Sequence, residues 1–295
     1  MKALVIAENE KAARELGAGA RGMADEVALV TFDEGNWSNI ADKVMRVEVP
    51  AENVLDDAYL TVNEIADTEE PGVILVEPTT RLLSIAGRLA AHLNTAVITD
   101  AIEIEDGVAT SLYFGGAGER SARPMGNVSI FTVGSGVFDA ADASGSGEEI
   151  EVAFKAPENA IRRLGSEELT KADVNLDDAA VIVAAGRGFS EREQLDLARD
   201  LCVKIGGELG CTRPLTEGVD WMPREAYIGV SGLMLAPKVY VACGVSGQMQ
   251  HMVGCNRATT LFAINKDKNA PIFKQCDYGL IGTIEDVLPA LSQQL

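Results

Sequence analysis

The sequence predicts an α/β protein composed of two parallel-sheet domains. In both halves of the 295-residue chain, short apolar runs alternate with helical patterns of about 10–15 residues, which is typical of βαβ units. Between the halves, residues 157–177 are polar and carry no long apolar pattern, which indicates a linker. The composition, with 47% hydrophobic and 24% charged residues, fits a chain with a sizeable core. We therefore expect an N-terminal domain over residues 1–160 and a C-terminal domain over residues 175–295.

The first half starts with a strand rather than a signal peptide, because acidic residues follow its short apolar run at once. Strands and helices are then expected to alternate, in the order KALVIAE, EKAARELGAGARGMA, EVALVTFD, DDAYLTVNEIADTE, GVILVEPT, RLLSIAGRLAAHLN and TAVITDAIEIEDG. From about Ala109, three β-type runs follow without helices between them. We expect them to be antiparallel or edge strands added to the first sheet: ATSLYFGGAGERSARP, NVSIFTVGSGVFDA and EEIEVAFKAP.

The second half restarts the alternation of strands and helices. A strand that runs into a glycine turn is followed by an amphipathic helix, for which Ser190 is the expected N-cap and Glu193 completes a capping box. Further strands and a C-terminal helix are expected in the segments GELGCTRPLTEG, VYVACGV, TTLFAIN and YGLIGTIEDVLPALSQQL. These elements predict a second parallel α/β domain.

Charge and cysteine content exclude several classes of protein. The net charge of −20 comes from acids spread along the chain, and such a surface repels nucleic acid and anionic membranes. No apolar run approaches the ~18 residues that a membrane-spanning helix needs. The five cysteines form no CxxC pair and match no zinc pattern, so we expect reduced thiols in a cytoplasmic protein without a metal site.

Polar residues and glycines follow the strands of the second half, where an open parallel sheet binds its ligands. Two arginines offer permanent positive charge to a phosphate or an electron-rich ring, and a helix starting within SGQMQHMVG would favour an anion. The pattern predicts a phosphate-bearing cofactor, although neither a GxGxxG nor a P-loop motif is present. The candidate residues are Arg187, Thr212, Arg213, Ser231, Ser246, Gln250, His251, Asn265 and Asp267.

Taken singly, these residues leave other roles open. Arg187 and Arg213 could form surface ion pairs, and His251 could be a structural hydrogen-bonding residue. The chain has one other histidine, His92, which lies on a predicted helix and is expected to be structural.

The strand ends of the second half resemble the electron transfer flavoprotein alpha-subunit (FixB-type) family. That family carries the pattern LYxAxGxSGxxQHxxG…AINKDxxAPIFxxADYG, and this chain has VYVACGVSGQMQHMVG, FAINKDKNAPIF and QCDYGLIG. The segments AAGRGF, GCTRP and YIGVSG occur in family order, so the resemblance covers residues 180–295 closely. The first half is similar more loosely, through YFGGAGE and TVGSGVFDA. The form CTRPLTEG…WMPREAYIGVSG looks closest to the branch linked with carnitine-type and anaerobic acyl-CoA metabolism.

The resemblance implies a Rossmann-like C-terminal domain of the NAD/FAD-binding type that holds one FAD, and an N-terminal domain for subunit association. It also implies a heterodimer with a beta subunit, which carries electrons between an acyl-CoA dehydrogenase-type flavoenzyme and a further redox partner without catalytic residues of its own. Two alternatives remain: an NAD-using enzyme domain, and a scaffold subunit without a cofactor. The absence of an acid–base pair in the motifs counts against the first alternative, and the set of hydroxyl, arginine and histidine residues counts against the second.

The resemblance further implies a role for each site residue. Arg187 would contact the phosphates, and Thr212 and Arg213 would lie beside the flavin ring. Ser231 would bond near flavin N5, and His251 would reach the C2 carbonyl, so that Arg213 and His251 together set the redox potential. Asn265 would hold the adenosine side, and Thr283 replaces the acid that the family usually has near the adenine ribose. The remaining implied contacts are Ile228, Gly229 and Val230, and Ser246, Gly247, Gln248, Met249 and Gln250 around the ribityl chain and pyrophosphate.

Overall fold

A computed structural model describes residues 1–32, 34–165 and 174–295 of the chain. The chain divides into two units, one formed by residues 1–113 and 118–167 and the other by residues 114–117 and 168–295. The linker predicted over residues 157–177 falls partly outside the described residues, because 166–173 are not among them.

The first unit is a mixed sheet with helices on both faces. Its helices are α1 (Glu10–Met23), α2 (Tyr59–Glu69) and α3 (Thr80–His92). Its described strands are β1 (Lys2–Ile6), β2 (Glu26–Thr31), β3 (Lys43–Val47), β4 (Val73–Val76), β5 (Val97–Glu105), β6 (Val108–Tyr113), β7 (Gly118–Ala122), β8 (Ser129–Val133) and β9 (Glu148–Val152). They lie in the order β7-β6-β5-β8-β4-β1-β2-β3-β9.

The added strands are only partly as expected. Seven neighbouring strands of the sheet, β5-β8-β4-β1-β2-β3-β9, run parallel to one another. Strands β6 and β7 extend the sheet beyond β5, and each is antiparallel to its neighbour. The expectation that NVSIFTV would be an antiparallel or edge strand was wrong. This segment is β8, a parallel strand inside the sheet, and Ile130 and Phe131 are fully buried because both faces of the strand are covered. Strand β3 was not anticipated, because lysine and arginine interrupt its apolar residues.

Strand β1 shows why this sheet needs helices on both faces. Leu4 and Ile6 pack in the core under α2 and α3, whereas Ala3 and Val5 pack in a second core under α1. A strand buried on both faces therefore appears in the sequence as an unbroken apolar run.

The second unit is a parallel sheet with the strand order 2-1-3-4-5. Its described strands are β10 (Val181–Ala185), β11 (Glu208–Cys211), β12 (Val239–Cys243), β13 (Thr260–Asn265) and β14 (Tyr278–Ile281), arranged β11-β10-β12-β13-β14. Its helices are α4 (Leu195–Ile205), the single turn α5 (Met249–Met252) and α6 (Ile284–Gln294). The chain reverses its winding direction between β10 and β12, and doubly wound sheets bind their ligands at the carboxyl ends of strands at such a point.

The entry to α4 differs from the expected capping box by one residue. A 3₁₀ turn, Arg192–Gln194, precedes the helix, and Glu191 rather than Ser190 is its N-cap. The reciprocal partner is Gln194 instead of Glu193, and its Oε1 accepts from the backbone N–H groups of Ser190 at 2.7 Å and of Glu191 at 3.2 Å. A glutamine makes this contact without bringing a second carboxylate next to Glu191.

No helix among the described residues is long and apolar enough to cross a membrane. The same residues include no group of three or more His, Cys, Asp or Glu side chains placed to hold a metal ion.

Candidate functional site

A cavity of about 1070 Å³ lies at the carboxyl ends of β10, β11, β12 and β13. The side chains that line it follow directly after these strands or belong to the connection before β12. The lining residues are Arg187, Gly188, Thr212, Arg213, Pro214, Glu217, Gly218, Tyr227, Val230, Ser231, Gly244, Val245, Ser246, Gln248, Met249, Gln250, His251 and Asn265. The cavity thus lies at the point where the strand order predicts a ligand.

Glycines allow the turns after β10 and β12 to pack backbone against backbone. Gly186 N–H donates to the Cys243 carbonyl at 2.9 Å, and Gly188 N–H donates to the Gly244 carbonyl at 2.9 Å. A Cβ on Gly188 would lie 2.4 Å from the Gly244 Cα, and Gly244 itself has a φ of +64°. Only glycine satisfies both conditions, so the floor of the cavity depends on this pair.

Several polar side chains at the cavity have no hydrogen-bond partner within the described parts of the chain. Arg187 is exposed and unpaired, and the Thr212 hydroxyl is buried without a partner. Buried polar groups are almost always satisfied in folded proteins, so the Thr212 hydroxyl indicates a ligand at this wall. Three more side chains in the lining are likewise available to a ligand: Ser246, Gln248 and Gln250.

Arg213 is paired in this structure, as one of the open alternatives suggested. Its Nε donates to Glu217 Oε2 at 2.6 Å, and the two residues are four positions apart across the helical turn Pro214–Gly218. The Glu217 carboxylate raises the pKa of the Arg213 guanidinium, mainly through this hydrogen bond. Both residues line the cavity, so Arg213 is a cation with its own counter-charge rather than an isolated positive charge.

His251 lines the cavity, and both of its ring nitrogens lie within hydrogen-bonding distance of other groups of the chain. Its Nδ1 lies 2.9 Å from the Ile228 carbonyl oxygen and its Nε2 lies 2.9 Å from the Tyr240 hydroxyl. Both ring nitrogens are therefore used within the protein. Burial lowers the pKa of His251 to about 4. The ring is therefore neutral above that pH, and the contact of His251 with the cofactor stays a prediction.

The turn around Ser231 holds a hydroxyl at the cavity. Val230 and Ser231 line it, whereas Ile228 and Gly229 are buried behind them and contribute backbone only. The Tyr227 hydroxyl lies 3.4 Å from the Ser231 hydroxyl, at the long end of hydrogen-bonding distance. Ser231 therefore remains available to a ligand.

Three other predicted contacts have structural roles here. Asn265 lines the cavity, but its Nδ2 donates to the Val245 carbonyl at 2.8 Å and its Oδ1 accepts from Asp267 N–H at 2.9 Å. Gly247 lies beneath the lining with a φ of +83°. Thr283 is outside the lining: it caps α6, and its hydroxyl donates to Asp286 Oδ2 at 2.8 Å.

The segment SGQMQHMVG was expected to begin a helix whose N-terminus favours an anion. Its helix, α5, is a single turn and is too short to contribute much of a helix dipole.

Sequence analysis missed two aromatic residues. Tyr227 lines the cavity, and Tyr240 lies behind it as the largest fully buried side chain among the described residues. Glu217 was considered as an ion-pair partner for Arg213, and their spacing of four residues in a helical turn is consistent with that pairing. A polar hydroxyl in the middle of the apolar strand VYVAC was the corresponding indication for Tyr240.

The cavity has the size and the donor set that a flavin nucleotide needs. Its volume is at the upper end of the ~300–1000 Å³ typical of ligand sites, as a dinucleotide requires. Exposed Arg187 and the glycine turns suit phosphate, and the Thr212 and Ser231 hydroxyls suit the polar edge of a ring. The residues present therefore fit FAD.

Comparisons with known proteins agree with this geometry. Residues 175–256 match the family model described as the electron transfer flavoprotein FAD-binding domain, and residues 4–157 match the electron transfer flavoprotein domain. Protein FixB of Escherichia coli O1:K1 / APEC is 40% identical over 296 residues, which cover 95% of this chain and 94% of that protein. Protein FixB of Shigella dysenteriae serotype 1 (strain Sd197) is 39% identical with the same coverage.

Among solved structures, UDP-GlcNAc 2-epimerase from Methanocaldococcus jannaschii aligns with 100% of this chain and 92% of its own at 9% identity. Its TM-score of 0.37 is too low to indicate a shared fold. The two family models and the FixB relatives cover nearly the whole chain, and the polar cavity lies in the part matched by the FAD-binding domain. The chain belongs to the electron transfer flavoprotein alpha-subunit (FixB) family, whose members are electron carriers that bind FAD in this C-terminal domain.

Proposed function

We propose that this protein is the alpha subunit of a heterodimeric electron transfer flavoprotein. It would pair with a beta subunit through its N-terminal domain and carry electrons between an acyl-CoA dehydrogenase-type flavoenzyme and a second redox protein. The observation that supports this most strongly is the cavity at the strand ends. Polar side chains that follow β10, β11 and β12 meet there, and they have no partner among the residues that the structure describes. The form of the CTRPLTEG segment favours a partner from carnitine-type or anaerobic acyl-CoA metabolism.

The residues of the chain supply binding and electrostatics in this function. FAD, when bound, supplies the electron-carrying chemistry. Arg187 and the glycine turns hold the phosphates, and Gln248 and Gln250 are free to bond the polar chain between phosphates and ring. Thr212 and Ser231 orient the ring through their hydroxyls. The pair of Arg213 and Glu217 sets the local charge at the cavity wall.

We expect Arg213→Ala and Glu217→Gln to shift the flavin's first reduction potential in opposite directions. Removing the cation lowers the potential, because reduction adds negative charge that Arg213 stabilises, and removing the carboxylate raises it. The Arg213 side chain is 59% exposed and paired, so we expect some tens of millivolts rather than the ~100 mV or more of an unscreened charge. Spectroelectrochemistry on the purified heterodimer measures both shifts.

The matched control is the ion pair of Asp196 and Arg199, which is also exposed and lies on α4 outside the cavity lining. Arg199→Ala and Asp196→Asn should leave the potential unchanged. Shifts of the same sign in Arg213→Ala and Glu217→Gln would contradict the electrostatic role of this pair.

We also expect FAD retention to depend on the second chain. Arg187, Ser246, Gln248 and Gln250 are exposed in the isolated chain, so a cofactor bound to them keeps one face in water. A partner that covers this face strengthens the polar contacts by excluding water. Equilibrium dialysis should show tighter FAD binding by the co-expressed pair than by this chain alone, and equal affinities would contradict a shared site.

A visible absorption spectrum of the co-purified pair tests the function itself. Bound oxidised flavin absorbs blue light, whereas an NAD-using enzyme or a scaffold without a cofactor does not. A colourless complex that stays colourless after incubation with FAD would rule the proposal out.

We propose a reducing compartment, the cytoplasm, on separate grounds. All five cysteines are free thiols, and four of them are buried. Burial raises the pKa of Cys202, Cys211, Cys243 and Cys255 to about 12, so these thiols are unreactive core residues.

A further inference from the structure

Tyr227 is a buried side chain whose hydroxyl has no close partner in the part of the chain that the structure describes. The residue is 5% exposed, and it lines the cavity. Its hydroxyl lies 3.4 Å from the Ser231 hydroxyl, whereas O–H···O bonds in proteins are about 2.5–3.0 Å long. Buried hydroxyls in folded proteins are almost always satisfied, so the Tyr227 hydroxyl indicates a ligand, as the Thr212 hydroxyl does.

Two glycines make room for the Tyr227 ring in the turn that presents Ser231. A Cβ on Gly232 would lie 2.5 Å from Tyr227 Cδ1, and a Cβ on Gly229 would lie 2.8 Å from the Tyr227 hydroxyl oxygen. The turn is closed by two backbone bonds, from Gly229 N–H to the Leu233 carbonyl at 3.0 Å and from Leu233 N–H to the Tyr227 carbonyl at 2.9 Å. The ring and the turn therefore pack as one unit, which fixes the distance between the two hydroxyls.

The separation of these two hydroxyls suits an acceptor that they share. At 3.4 Å they are too far apart for a good bond to each other. Two donors at this separation can each lie about 2.8 Å from a single atom placed between them. Tyr227 and Ser231 both line the cavity, so that atom would belong to a ligand. Donors that converge on one atom stabilise negative charge that develops there.

A cation near Tyr227 favours the same direction of donation. The pKa of the Arg213 guanidinium is raised mainly by Glu217, and further by the nearby Tyr227 phenol. A hydroxyl hydrogen rotates to suit its surroundings, and next to a cation the oxygen turns toward the charge. The hydrogen of Tyr227 then points away from Arg213 and is available to an acceptor in the cavity.

We propose that Tyr227 and Ser231 form a hydroxyl pair that donates to one acceptor atom at the polar edge of the flavin ring. Tyr227 is then a cofactor contact in addition to those that the sequence implied. This inference rests on the proposed function, because it names a further contact for the same cofactor. Reduction adds negative charge to the ring, so the hydroxyl pair stabilises the reduced cofactor more than the oxidised one.

Tyr227→Phe in the co-expressed heterodimer tests the contact. The variant loses the hydroxyl but keeps the ring that fills the space beside Gly229 and Gly232. We expect FAD affinity to fall by roughly 2- to 10-fold, which corresponds to one neutral hydrogen bond. We also expect the first reduction potential to fall. Fluorescence titration and spectroelectrochemistry measure the two effects, and an unchanged affinity or an unchanged or raised potential would overturn the proposal.

Tyr278→Phe is the matched control for this substitution. Tyr278 belongs to the same domain and lies on β14, where it is 61% exposed and stacked on Phe262. It is outside the cavity lining, so its loss of a hydroxyl should change neither the affinity nor the potential. The potential is measured on flavin that folded protein holds, so this reading stands even if part of the Tyr227→Phe protein does not fold.

The Ser231→Ala background separates a direct contact from an indirect one. If both hydroxyls serve one acceptor, Tyr227→Phe should weaken FAD binding in this background at least as much as in the wild type, because Tyr227 is then the remaining donor. If Tyr227→Phe has no effect there, Tyr227 acts only by orienting Ser231, and the direct contact is refuted. A wild-type heterodimer that does not bind FAD would contradict the proposed function. A wild-type heterodimer that binds FAD no better than Tyr227→Phe would contradict this inference alone.

Discussion

Gly244→Ala is expected to destabilise the C-terminal domain by about 2–5 kcal/mol and to abolish FAD retention. An alanine at a φ of +64° costs about 1–2 kcal/mol in backbone strain. Its Cβ would also lie 2.6 Å from the Gly188 Cα, and relieving such an overlap in a packed region costs about 1–3 kcal/mol. To relieve this overlap, the turns after β10 and β12 must move apart, and these turns form the floor of the cavity. Chemical denaturation and flavin fluorescence measure the two effects.

Gly206 provides a matched control within the same domain. It has the same φ of +64°, at the C-cap of α4, but an added Cβ would meet nothing within 4 Å. Gly206→Ala should therefore show the strain alone, about 1–2 kcal/mol, and should retain FAD. If both variants lose the same stability and both keep FAD, then the close approach of Gly188 and Gly244 does not shape the site.

Arg187→Ala is expected to weaken FAD binding by roughly 10- to 100-fold, because a charge-assisted bond to phosphate contributes about 1.5–3 kcal/mol. Arg187 lies in the turn after β10 and has no ion-pair partner among the described residues, so its charge is available to a ligand. The reduction potential should shift less than in Arg213→Ala, because the phosphates carry the same charge in both redox states. Fluorescence titration with FAD measures the affinity.

Arg192→Ala is the control for Arg187→Ala. Arg192 is also exposed and lies five residues later in the 3₁₀ turn before α4, outside the cavity lining. Arg192→Ala changes the net charge by the same amount as Arg187→Ala, so any general electrostatic effect on an anionic ligand appears in both variants. Equal affinities for FAD in the two variants would argue against a phosphate contact by Arg187.

Much of the fold could be predicted from the sequence because burial leaves a periodic pattern. Strands β10, β12 and β13 of the second sheet are mostly buried apolar runs that end before glycine or polar residues, and they were located correctly. The short strands β11 and β14 were also located, although glycine interrupts both and β14 is exposed. Strand β3 escaped notice because its lysine and arginine break the run. Strand β8 was recognised as a strand but misplaced, since a local pattern shows that a strand is buried and not which strands lie beside it.

The sequence by itself determined the residue types at the strand ends, the family and its cofactor. It also predicted that Arg187, Thr212 and Ser231 belong to one site, and these three residues line one cavity. Only the tertiary structure decided which contacts the other predicted site residues make. Thr283 caps a helix, Arg213 is paired with Glu217, and His251 is held between Tyr240 and Ile228. The reason is that a hydrogen bond depends on distance and direction between atoms. The partners of His251, at positions 240 and 228, are 11 and 23 residues away in the sequence, and only folding brings them to 2.9 Å.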